Sequence, residues 1–244
     1  MTNWSEKVAL VTGGRSGIGA AIAAKFASLG VTVITAQRGK DPVHPCVSAD
    51  FLNPSEPERV ISDVIKMTGG LDILVNNAGV MREGTALETS ETDWNEMLHV
   101  NLTVPFMLIK HALPHLIKRS GAIVNIGSIE GLGANPKHPA YCASKGGLHA
   151  LTRAVAVDHG GDGVRCNAIA PGWIDTDLNT AFVENRPDPD SFRASLGDIH
   201  PIGRTGTPEE IAGLAAWLVS EEASFVTGQV WTVDGGRTSK LSLP

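Results

Sequence analysis

Residues 7–29 read KVALVTGGRSGIGAAIAAKFASL. Lys7–Thr12 is a short apolar run rich in β-branched residues, the pattern of a buried strand. Gly17–Leu29 is Ala-rich and amphipathic, a helix closed by Gly30. Between them stand Gly13, Arg15, Ser16, Gly17, Ile18 and Gly19. The recurring glycines, 13, 17 and 19, are spaced more widely than G-x-G-x-x-G, but the physical logic is the same. Glycine permits φ > 0 and close backbone approach, and a helix N-terminus offers unpaired N–H groups to a pyrophosphate. A strand-to-helix turn that binds nothing has the same composition.

The same alternation continues outward. Val31–Ala36 reads as a second strand and Cys46–Ala49 as a weak third. Pro54–Met67 reads as a helix, Leu71–Val75 as a strand, and Ser90 to about His115 as a long helix bent near Pro105. Ala122–Ile126, Val164–Ile169 and Gln229–Val233 complete seven strands, with helices over Pro139–His159 and Thr207–Ser220. In the last of these, Thr207 is the N-cap and Pro208 the first helical residue. Strands alternating with helices give an α/β fold in three layers: a doubly wound parallel sheet with helices on both faces. Ligands of such sheets sit outside the carboxyl ends of the strands. Gln37–Pro45 is too short for a crossover helix, so a loop is expected there. Trp173–Arg204 is polar and contains Pro187, Pro189 and Pro201; it reads as an irregular lid or binding loop within a single domain over residues 1–244.

Composition narrows the function. The chain has 244 residues, 42% of them hydrophobic and 19% charged, as in ordinary globular proteins. Its formal charge of −6 and lack of a Lys/Arg run argue against nucleic acid. No apolar run approaches the roughly 18 residues that span a bilayer, and the N-terminus shows no secretion signal. Three widely spaced cysteines (Cys46, Cys142, Cys166) fit a reducing, cytoplasmic setting and form no metal cluster. No metal is expected.

The second strand ends Ala36-Gln37-Arg38. An acid at this place binds the adenosine ribose and repels a 2′-phosphate. Here a neutral amide is followed by a guanidinium, which suits a phosphate in charge and geometry. NADP(H) is therefore expected over NAD(H). The alternative leaves Arg38 in solvent and Gln37 on the ribose of NAD.

Tyr141, the single tyrosine, and Lys145 stand one helical turn apart and share a face. A phenol has a pKa of about 10, and lowering it by ~3 units takes about 4 kcal/mol. One cation about 4 Å away at an effective dielectric of ~20 supplies roughly that much. A helix N-terminus adds to it. Ser128, after the fifth strand, offers a hydroxyl for the substrate oxygen. Taken singly, a helical tyrosine packs, a lysine is solvated and a serine turns the chain; their combination with the glycine loop points to proton transfer.

In these pieces the chain resembles the short-chain dehydrogenase/reductase family, over nearly its whole length. The matching residues are Thr12-Gly13-x-x-x-Gly17-Ile18-Gly19, Asp50, Asn76-Asn77-Ala78-Gly79, Asn101, Ser128, Tyr141-x-x-x-Lys145, and Pro171-Gly172 followed by Thr176. The resemblance implies a seven-stranded Rossmann-like sheet and a catalytic tetrad of Asn101, Ser128, Tyr141 and Lys145. It implies that Asp50 and Phe51 lie against adenine, that Asn77, Ala78 and Gly79 pass the cofactor ribose, and that Pro171, Gly172, Ile174 and Thr176 border the nicotinamide. Tyr141 would exchange a proton with a carbonyl or alcohol while the nicotinamide exchanges hydride with its carbon. Lys145 would lower the tyrosine pKa and bind ribose, and Asn101 would keep a water in line. Asn76 and Asn77 can equally tie strands together, and Asp50 can cap a turn. The family's common tetramer suggests a homotetramer, with Leu241 and Leu243 packed on a neighbouring subunit.

Substrate is less legible. Met81, Arg82, Glu130, Asn135, His138 and Trp173 are expected to face it, a mixture suited to a small polar hydroxy or oxo compound such as a sugar or polyol. Asn135-Pro136, Pro201-x-Gly203-Arg204 and Phe225-x-Thr227-Gly228-Gln229 also resemble 3-oxoacyl-thioester reductases. A cofactor-binding sensor or scaffold without chemistry is the reading from another class; retention of all four tetrad residues weighs against it.

Overall fold

The computed structural model describes residues 3–241, side chains at 178 and 181 excepted. The first half runs β1 (Val8–Thr12), α1 (Gly17–Ser28), β2 (Thr32–Gln37), β3 (Cys46–Ser48), α2 (Glu56–Thr68) and β4 (Ile73–Asn76). Then come α3 (Glu91–Leu98), α4 (Val104–Ile117), β5 (Ala122–Ile126), α5 (Pro139–His159) and β6 (Arg165–Pro171). The chain ends with α6 (Asp177–Glu184), α7 (Pro189–Asp198), α8 (Pro208–Val219) and β7 (Val230–Val233). The strands form one seven-stranded sheet in the order β3-β2-β1-β4-β5-β6-β7. Every neighbouring pair is parallel. The chain moves outward from β1 to β3, then returns to β4 on the other side of β1. That reversal opens a crevice at the carboxyl ends of β1 and β4.

Alternation along β1 explains its unbroken apolar reading. Val8 and Leu10 join the core under α2, α4 and α5. Ala9 and Val11 join the core under α1 and α8. A strand covered on both faces has no polar side to show. Residues 38–45 form a loop, as their length demands. Asp41 holds it, accepting N–H bonds from Val43 (2.8 Å) and His44 (3.0 Å) and a hydroxyl bond from Thr35 (2.8 Å).

Two expectations need correction. The long helix is not merely bent at Pro105; it is interrupted by a π-turn over His99–Thr103 before α4 begins. Proline has no N–H to bond the carbonyl four residues back, here that of Asn101, and a wider turn accommodates the loss. The stretch from Trp173 to Arg204 is not irregular: it contains α6 and α7. The prolines there start a helix instead of preventing one, since Asp188 caps α7 through the Ser191 N–H at 3.0 Å and Pro189 is its first residue. Leu243 lies outside the described residues, and Leu241 is exposed. Among the described residues, no helix is long and apolar enough to cross a membrane.

Candidate active site

A cleft of about 610 Å³ opens at the carboxyl ends of the strands. Its floor is the glycine turn. Gly13 and Gly17 have φ of +65° and +53°, and a Cβ on Gly13 would stand 2.9 Å from Asn77 Nδ2. Ser16 and Ile18 line the cleft with them. Gly19 does not line it; its role is packing, because a Cβ there would lie 2.2 Å from the Gly13 carbonyl oxygen. Arg15 also lies off the cleft wall and is exposed, with Nη1 3.1 Å from where a Gly39 Cβ would stand.

Thr12 and Asn77 lock this turn to β4. The Thr12 hydroxyl accepts the N–H of Asn77 and of Ala78, each at 3.0 Å. The Asn77 amide donates to the carbonyls of Thr12 (2.9 Å) and Gly13 (3.2 Å). Asn76 ties β4 to β5 by donating to Asn125 at 2.8 Å. Asn77, Ala78 and Gly79 nevertheless line the cleft, as do Arg38, Asp50 and Phe51 on one side and Pro171, Gly172, Ile174 and Thr176 on the other. Asp50 also caps its own turn, accepting the Leu52 N–H at 3.2 Å.

Ser128, Tyr141 and Lys145 meet at the inner end of the cleft. The Tyr141 side chain hydrogen-bonds with Ser128. Lys145 is buried, its Nζ donating to the Ile126 carbonyl at 2.8 Å and standing 5.6 Å from the Tyr141 ring centroid. Burial pushes the ammonium down to about 8. The expectation of a lowered tyrosine pKa is not met: Tyr141 is pushed up to about 12. Burial disfavours the phenolate most, the Glu130 carboxylate adds to it, and the Ser128 hydrogen bond opposes both.

Asn101 is 1% exposed and does not line the cleft. Its amide is engaged at both ends: Oδ1 accepts the Val80 N–H (2.8 Å), and Nδ2 donates to the Val80 carbonyl (2.8 Å) and to Ser144 Oγ (3.1 Å). The side chain thus clamps the turn after β4 to α5, both Nδ2 hydrogens being used and one lone pair of Oδ1 remaining.

Of the residues expected to face substrate, Met81 and Arg82 line the cleft. Arg82 is ion-paired with Asp93 and Glu96. Glu130, Asn135 and His138 do not line it; they bond to one another beside Tyr141. Trp173 packs with Phe182 and Phe192 at ring-centroid distances of 5.7 and 6.1 Å. It borders a separate cavity of about 280 Å³. One buried group was not foreseen. His149 is wedged under the Ser128 loop, where a Cβ at Gly127 would lie 2.2 Å from its Nε2, and burial pushes it down to about 4. Only the spacing of Gly127 and Gly131 hinted at it.

The residues present fit a nicotinamide dinucleotide. Gly13 and Gly17, both at positive φ, put bare backbone on the cleft wall, and Gln37 Oε1, buried at the same wall, has no hydrogen-bond partner. A doubly wound parallel sheet with this crevice and a tyrosine–lysine pair inside it marks a dinucleotide-dependent oxidoreductase. The chain belongs to the short-chain dehydrogenase/reductase family: residues 13–238 match the family model described as "Enoyl-(Acyl carrier protein) reductase". It is 36% identical to meso-2,3-butanediol dehydrogenase of Serratia marcescens, over 99% of this chain and 98% of that one. It is 36% identical to a 3-oxoacyl-[acyl-carrier-protein] reductase of Thermotoga maritima, over 94% and 97%. Ligand-free aldohexose dehydrogenase of Thermoplasma acidophilum superposes with a TM-score of 0.94 at 34% identity, covering 99% and 98%. The chain is an oxidoreductase acting on alcohol or carbonyl groups with a nicotinamide cofactor.

Proposed function

We propose that the chain reduces a small, polar carbonyl compound with NADPH, Tyr141 donating the proton. The observation that carries this reading is the meeting of Tyr141, Ser128 and Lys145 at the inner end of the glycine-floored cleft. Bound there, the nicotinamide supplies or accepts hydride. Tyr141, raised to about 12, stays protonated throughout the neutral range, which is the form that gives a proton to a carbonyl. Ser128 orients the substrate oxygen, and Lys145 is close enough to the cleft wall to bind the ribose. Asn101 acts through Val80 and Ser144, as a positioning residue.

NADP(H) is favoured by the charge at the end of β2. Arg38 is exposed on the cleft wall and Arg15 reaches the adjacent Gly39. Asp41 turns its carboxylate inward to Thr35 and two backbone N–H groups, so it does not face a 2′-phosphate. Gln37 Oε1 is free to accept a ribose hydroxyl. For the substrate, the Arg82–Glu96 pair in the cleft wall favours a hydroxy or oxo compound of the diol or sugar type over a long acyl thioester. The α6–α7 segment serves as the lid of a single catalytic domain. Exposed Phe225 and Leu241 suit a homotetramer, and three free cysteines suit the cytoplasm.

Replacing Tyr141 by Phe tests the central assignment. Turnover should vanish while cofactor still binds, as followed by nicotinamide fluorescence. Retention of more than about a tenth of wild-type kcat would refute proton transfer by this hydroxyl.

A further inference from the structure

Outside the residues just assigned, one buried carboxylate gathers an unusual number of partners. Glu130 Oε1 accepts from Asn135 Nδ2 at 2.9 Å, and Oε2 lies 2.7 Å from His138 Nδ1 and 3.6 Å from Cys142 Sγ. Its backbone N–H donates to Ser128 Oγ at 3.1 Å. These partners bracket Tyr141: Ser128 bonds its side chain, His138 stands edge-on to its ring at 6.3 Å between centroids, and Cys142 is its chain neighbour. A carboxylate with a side-chain exposure of 13% needs such partners, because an unpaired charge at this depth is costly. They also fix where its charge lies.

We infer that Glu130 is a positioning residue for the reaction: through Asn135, His138 and Cys142 its carboxylate clamps the first turn of α5 and sets the charge that faces the Tyr141 hydroxyl. The inference rests on the role given to Tyr141 above. The groups around the Tyr141 side chain are Ser128 after β5, Glu130 in the turn that follows, His138 before α5, and Cys142 and Lys145 on α5. Beyond them, Glu83 lies 3.8 Å from His138 Nε2 and is paired with Arg186, and Arg237 bonds Asn135 at 2.7 Å. His138 is raised above its ordinary value, chiefly by its hydrogen bond to Glu130. While it keeps its proton it balances the carboxylate. Once it has lost its proton, Glu130 faces the hydroxyl as an uncompensated negative charge and opposes phenolate formation.

Because Tyr141 is the only tyrosine, phenolate absorbance reports on this site alone, whether or not the enzyme turns over. Glu130→Gln keeps the shape and removes the charge; Glu130→Asp keeps the charge and shortens the clamp. The Gln variant should titrate about one pH unit below wild type, with the rising limb of its kcat/KM profile for alcohol oxidation moving the same way. The Asp variant should keep the wild-type midpoint and lose kcat instead. Equal shifts in both variants, or none in the Gln variant, would overturn the inference. Should the Gln variant not fold, Glu130→Ala takes its place: a phenolate midpoint below that of wild type supports the inference, and one unchanged or higher overturns it. Loss of the catalytic reading is seen separately, as activity surviving in Tyr141→Phe.

Discussion

Single side chains in this cleft carry tasks that their neighbours make possible. Lys145 stands one helical turn from Tyr141, yet its ammonium is drawn to the Ile126 carbonyl, and burial lowers its own pKa. Sequence spacing places the pair on one face but cannot show that desolvation and Glu130 outweigh one cation. At the other end of the cleft, Arg38 has no such competition. Its guanidinium is exposed on the wall, and Asp41, the nearest acid in sequence, is occupied by Thr35, Val43 and His44. A charge-assisted bond to phosphate contributes about 1.5–3 kcal/mol, so Arg38→Ala should raise KM for NADPH roughly tenfold or more. KM for NADH should stay put. Steady-state kinetics with both cofactors checks this, and a higher kcat/KM with NADH in the wild type would reverse the assignment.

At the scale of elements, α8 shows how a helix start can be read and tested. Thr207-Pro208 announces it in the sequence, and the structure adds Glu210 reaching back to the Thr207 N–H at 2.8 Å. Arg204 pairs with the same carboxylate at 2.7 Å. Together these hold Glu210 at about 2, below its ordinary 4.5, the Arg204 hydrogen bond being the largest cause. A carboxylate lowered on folding stabilises the protein above its unfolded pKa and loses that contribution as pH falls through the folded one. Glu210→Gln should therefore lower stability at neutral pH and flatten the acid limb between pH 4.5 and about 2, the two proteins converging at the acid end, as measured by thermal unfolding. Since both partners are half-exposed, the effect should shrink with added salt. The strands were legible because burial on both faces leaves runs such as KVALVT. The glycine turn and the Tyr141–Lys145 spacing were legible for similarly local reasons. What the sequence hid was non-local. Asn101 finds its partners in Val80 and Ser144, and Asp188-Pro189 starts a helix that its proline content made look like a loop.

Across the whole molecule, chemistry and stability sit at opposite ends of the sheet. The cleft lies at the carboxyl ends of the strands, where glycine turns and buried polar groups are kept at some cost to packing. At the amino ends, Asp72, just ahead of β4, is a hub. Its carboxylate accepts the Val8 N–H at 3.0 Å, pairs with Lys7 at 3.2 Å and with Arg119 at 3.0 Å, and is itself 5% exposed. It thereby joins the start of β1 to the segment after α4. Asp72→Asn keeps the size and one acceptor but removes the charge that both cations face. Hydrogen bonds to charged groups contribute about 1.5–3 kcal/mol, so a loss of about 2–3 kcal/mol is expected. For a chain of this size that lowers Tm by roughly 5–10 °C. None of the residues bonded to Asp72 (Lys7, Val8, Arg119, Ala122) lines the cleft, so kcat/KM measured well below the transition should be unchanged. The converse holds for Tyr141→Phe, which should silence turnover with little effect on Tm. Calorimetry and kinetics on the two variants make a crossed test. A fall in kcat/KM for Asp72→Asn at a temperature where it is fully folded would show that the amino-terminal edge of the sheet communicates with the cleft, and that the two ends are not independent.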